Sequence, residues 1–67
     1  MDAQTEVIEH FEKMVSVHKF ALAEAAFGQE VLWGNLCSVY RVPEQGRSAL
    51  RTYIREHYRP DGRPGAR

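Results

Sequence analysis

From Thr5 onward the apolar positions advance in steps of three and four. Ile8, Phe11, Val15, His18, Leu22 and Ala25 fall on one stripe, widened by Val7, Met14 and Ala21. Glu9, Glu12, Lys13 and Ser16 occupy the other side, so the spacing predicts an amphipathic helix. Carried on in phase, the stripe meets Gln29, Leu32, Leu36 and Val39, with Trp33 and Tyr40 beside them. That continuity predicts one long helix over about 4–41. Gly28 and Gly34 oppose it, each by roughly 1 kcal/mol relative to alanine.

The same stretch supports an alternative. Gly34-Asn35 between two apolar runs is a turn signal, and Val, Trp, Cys and Tyr favour strands. An α+β chain with a β-hairpin over 31–42 is therefore the competing reading. A lone two-stranded hairpin is marginal in water, and the unbroken helical phase favours the helix.

Val42-Pro43 ends the element, because a residue before proline is pushed out of the helical region. Pro43, Glu44 and Gln45 suit a first helical turn. Ala49, Leu50, Tyr53, Ile54, His57 and Tyr58 then form a second stripe, which predicts a helix over about 43–59. Arg47, Arg51, Arg55 and Arg59 recur every four residues along its flank. Pro60 and Asp61-Gly62 stop it. Residues 1–59 thus read as a single helical-hairpin domain, and 60–67 as a mobile Pro/Gly/Arg tail.

The expected fold class is all-α: a long helix and a short antiparallel one. A second helix of about 16 residues spans only about 24 Å and cannot cover the start of the first. Ile8, Phe11, Met14, Val15, His18, Leu22 and Ala25 would then need a second copy of the chain, which predicts an antiparallel homodimer through those residues. Ala21, Ala25 and Gly28 would allow close helix approach; the alternative is that Gly28 simply ends the helix. Phe20, Phe27 and Val31 lie on another face, as core or as an aromatic anchor site.

Composition narrows the function. A chain of 67 residues buries only roughly 60% of its unfolded surface and is marginal without help, which again favours oligomerisation. The single cysteine, Cys37, allows no internal disulfide and points to a reducing, cytoplasmic compartment. No apolar run is long enough for a membrane span, and no signal peptide is expected. His10, His18 and His57 stand far apart and carry no metal-ligand spacing, so no metal or other cofactor is implied. No nucleophile has a recognisable base partner and no phosphate-binding loop occurs, so an enzyme is not expected.

Formal charge is zero, but residues 1–30 carry a net −4 and residues 31–67 a net +4. The basic half offers two candidate partners. Trp33, Tyr40, Arg41, Arg47 and Arg51 combine aromatic and arginine groups, the composition of a protein-binding hot spot; equally, the Trp33 and Tyr40 rings could close the helical-hairpin core. The arginine row of the second helix could instead grip nucleic acid, although a chain of zero net charge has no global attraction to it.

A long helix ending in "LCSVYRVP", followed by the arginine-bearing "SALRTYIREHY", resembles the small phage-encoded, two-helix dimeric quorum-sensing anti-activators of Gram-negative bacteria. That resemblance implies a non-enzymatic inhibitor in the host cytoplasm. It would bind a host regulatory protein such as a LuxR-type transcription activator, with Tyr40 at the end of the long helix as the first position to test. The second expectation is a small dimeric nucleic-acid-binding regulator that uses the arginine helix.

Overall fold

The computed structural model describes residues 3–65. It is all-helical, with α1 at Ala3–Glu12, α2 at Ser16–Ala26, α3 at Glu30–Val39 and α4 at Glu44–His57. The hairpin alternative over 31–42 is overturned, since α3 runs straight through Gly34-Asn35. The break falls at Val42-Pro43, where Pro43 takes the N-cap position of α4.

The single helix over 4–41 is also overturned. Such a helix would be about 57 Å long, whereas the longest dimension of the chain is 28 Å. Two turns interrupt the stripe, and beyond the second its phase shifts: α3 buries Trp33 and Cys37 and leaves Leu32 and Val39 exposed. At the first, the Lys13 and Met14 amides tighten the last turn of α1 onto Glu9, His10 and Phe11 carbonyls. Val15 is extended (φ −66°, ψ 154°), and the Lys19 ammonium donates to the Glu12 carbonyl at 3.4 Å. β-Branched Val15 and Val17 lose rotamer freedom in a helix, which lowers the cost of leaving it here. At the second, α2 closes at Phe27, the Gly28 amide bonds Ala25 O at 3.0 Å, and Gln29 is extended. Gly28 therefore ends a helix; the close-packing role within one is not realised.

Folding in short pieces gathers residues of all four helices into one core. Phe11, Leu22, Ala25, Cys37, Leu50 and Ile54 have no exposed surface, and Val7, Trp33, Val42 and Tyr58 have almost none. α1 packs on α4, and α2 packs on both α3 and α4. Phe11 meets Tyr58 edge-on at 5.5 Å between ring centres. Gly46 lets α1 approach α4, since a Cβ there would come within 2.8 Å of the Val7 Cβ.

The premise for a dimer through the α1–α2 stripe thus fails. Of the seven residues assigned to it, Phe11, Leu22 and Ala25 are buried within the chain, and Ile8 and Met14 pack against its core. Val15 and His18 are exposed.

Beyond α4 the chain turns back. The Arg59 amide bonds Arg63 O at 2.9 Å, and the Gly65 amide bonds His57 O at 3.0 Å. Gly62 (φ 85°) is pressed against the Phe20 carbonyl, where a Cβ would lie 2.7 Å away. Only residues 66 and 67 of the expected tail fall outside the described residues. Among the described residues no helix is long and apolar enough to cross a membrane.

Candidate interaction surface

The site begins with the end of α3. The Arg41 amide bonds Ser38 O at 3.2 Å, and the Val42 amide bonds Cys37 O at 2.8 Å. This pair of bonds is a left-handed helix cap, in which the residue at Arg41's place usually is glycine. Arg41 adopts it with φ 59°, the only non-glycine residue with positive φ among those described. A Cβ in that conformation costs roughly 1–2 kcal/mol. Val42, the next residue, is driven into the core. Burial of Val42 fixes the cap, and the cap projects Arg41 outward as an exposed cation.

One residue before Arg41, Tyr40 closes against α2. Its hydroxyl lies 3.2 Å from His18 Nδ1, and the two rings are 5.1 Å apart. With Gly28 beside Leu32 at the other end, this contact makes α2 and α3 antiparallel. Val17 and Val39 are each one residue from the His18–Tyr40 pair, and both are 67% exposed. Val15, 60% exposed, lies just before α2. The end of the α2–α3 pair thus gathers valines, a tyrosine, a histidine and an arginine. An open groove of about 430 Å³ adjoins it, lined by Glu6, Val7, His10, Arg41, Pro43 and Gln45.

The five residues expected to form one partner-binding end separate into two places. Tyr40 and Arg41 belong to the surface just described. Trp33, Arg47 and Arg51 border a second groove of about 330 Å³, with Glu30, Gly34, Glu44 and Ser48. Trp33 is buried and works as core. Its seven-residue spacing from Tyr40 aligned the two on one helix, but α3 turns Trp33 inward.

The arginine row is largely committed within the chain. Arg47 Nε donates to Val42 O at 2.9 Å. Arg51 Nε donates to Ala26 O at 3.0 Å and its Nη2 to Gly28 O at 2.8 Å. Arg51 therefore caps the carbonyl end of α2, where a cation also meets the helix dipole favourably. Arg55 sits over the Phe27 ring at 5.8 Å. These contacts were invisible in the sequence, because they depend on where the chain breaks. Val17, absent from the expected site, is equally a product of the break before α2.

Cys37 is buried, and burial raises its thiol above the ordinary 9.0, partly offset by the charges of Arg47 and Arg51. That is the chemistry of a small core residue rather than a nucleophile. Among the described residues, no three His, Cys, Asp or Glu side chains are grouped to hold a metal ion.

Comparison with protein-family models, curated proteins and solved structures gave no match.

Proposed function

We propose that this chain is a non-enzymatic protein-binding regulator, and that the α2–α3 end is its docking surface. The observation that carries the reading is Arg41. A residue held in left-handed geometry at a position suited to glycine stores strain at the surface, and such strain concentrates at functional positions. Here it holds a guanidinium beside Tyr40 and next to exposed valines, and arginine with tyrosine is the pairing that dominates binding energy at interfaces. The valines would surround them and exclude water.

The resemblance to phage anti-activators supplies the partner class: a bacterial host regulatory protein, with a LuxR-type activator as the first candidate, met in the host cytoplasm. Binding would block the activator. A second copy of the chain is a further partner, consistent with the small size of the domain. The test is a promoter driven by such an activator, with the chain co-expressed. Repression by the wild type and its loss with Val17→Asp are expected. Repression unaffected by the substitution, or no repression together with no binding of purified activator, would overturn the reading.

The nucleic-acid alternative has less behind it, because Arg47 and Arg51 donate to backbone carbonyls. It would require salt-sensitive duplex binding by the folded chain.

A further inference from the structure

We infer that α3 pairs with α3 of a second copy, antiparallel, about a two-fold axis passing near Asn35 and Leu36. Between Glu30 and Arg41 the helix carries no charged residue. Its outward side is exposed all the same: Val31 is 72% exposed and Val39 67%. Two adjacent ridges make up that side. Glu30, Gly34 and Ser38 follow one another at steps of four, with Arg41 exposed just beyond the helix in its left-handed cap, and Val31, Asn35 and Val39 follow at steps of four.

Both ridges read almost the same when reversed with complementary partners. In an antiparallel pair centred near Asn35, Glu30 of one copy faces Arg41 of the other, so each end of the pair joins an acid to a base. Val31 faces Val39, and Gly34 faces Ser38. Charge, apolar and small positions are thus self-complementary under one operation, as a two-fold interface requires. The helix dipoles oppose one another in the same arrangement. Gly34 adds a separate argument. Nothing within 4 Å would meet a Cβ there, so packing within the chain gives no reason for a glycine inside α3. A second helix approaching over Gly34 and Ser38 would give one.

Two ridges of one short helix make an interface at the small end of the range, so the association is weak and concentration-dependent. Val39 and Arg41 belong to this surface and to the proposed docking surface. A target and a second copy would therefore compete; that consequence rests on the proposed function, whereas the pairing does not.

Sedimentation equilibrium of the purified chain, without any target, tests the pairing. A monomer–dimer equilibrium in the micromolar range is expected. Glu30→Arg alone and Arg41→Glu alone should each weaken it about fivefold, and the two together should restore it. Asn35→Cys should cross-link to its own copy under oxidation, while Thr52→Cys on α4 should not. All variants alter exposed positions, and circular dichroism verifies their helicity. A chain that stays monomeric at every concentration overturns the inference, as does a dimer indifferent to the charge reversals or one that Asn35→Cys fails to trap.

Discussion

Arg51 Nη2 on α4 donates to the Gly28 carbonyl at 2.8 Å, while Nε of the same side chain bonds Ala26 O at 3.0 Å. One planar guanidinium closes the helix end that Gly28 opens. A hydrogen bond from a charged donor contributes roughly 1.5–3 kcal/mol, and Arg51 is only half-buried, so we take the lower end. Arg51→Ala should destabilise the fold by about 2 kcal/mol in chemical denaturation. Arg51→Lys should recover less than half of that, since an ammonium cannot fork between two carbonyls.

Two helical glycines should respond oppositely to alanine. At Gly46 a Cβ would press on Val7, and overpacking costs about 1–3 kcal/mol against a propensity gain of about 1. Gly46→Ala should therefore lower stability by about 1 kcal/mol. Gly34 has open space around it, so Gly34→Ala should raise stability by about 1 kcal/mol. Thermal unfolding of the dilute chain reads both.

Arg41→Gly should relieve the left-handed strain and stabilise the fold by about 1 kcal/mol. The same substitution should weaken partner binding, since it removes the exposed guanidinium. A stabilised variant that binds less well is the signature of strain kept for function. Equal binding with higher stability would leave Arg41 a defect of folding only.

Alkaline pH should destabilise the chain through two buried groups. Burial raises the Cys37 thiol above 9.0. Burial, then the charge of Glu12, raises the Tyr58 hydroxyl above 10.0. Both are held in their neutral, protonated form by the fold. Their contribution is complete below the unfolded values and is lost as pH rises through the folded ones. Denaturant midpoints should begin to fall near pH 9.0, and Cys37→Ala should move the onset towards the 10.0 of tyrosine.

Phase was legible in the sequence as far as α2, but continuity was not. Phe11, Leu22 and Ala25 of the expected stripe are buried, and the third helix ends at Val39, just before Val42-Pro43. The breaks at Met14-Val15 and Gly28-Gln29 change the chain's direction, and after the second the buried side moves to Trp33 and Cys37, which periodicity carried over from α1 and α2 could not detect. Their caps come from distant residues: Lys19 closes α1, and Arg51 closes α2. Once the chain breaks, Phe11, Leu22 and Ala25 are covered within the chain, and the uncovered apolar side becomes α3. Tyr40 and Arg41 were nominated from composition and position, and the structure keeps them together at the end of α3. Val17 was not, because its exposure at this end depends on the turn before α2. Trp33 took the core alternative, since α3 buries it together with Cys37.

The docking surface is tested most directly by parallel capture from bacterial lysate with the wild type and Val17→Asp. Val17 is exposed and lies outside the α3 ridges, so the substitution leaves both fold and self-pairing intact. The wild type should retain a regulatory protein that binds again when purified, and Val17→Asp should hold it about tenfold more weakly at unchanged helicity. Equal retention of that protein by both forms, or no specific partner for either, would contradict a docking role for the α2–α3 end.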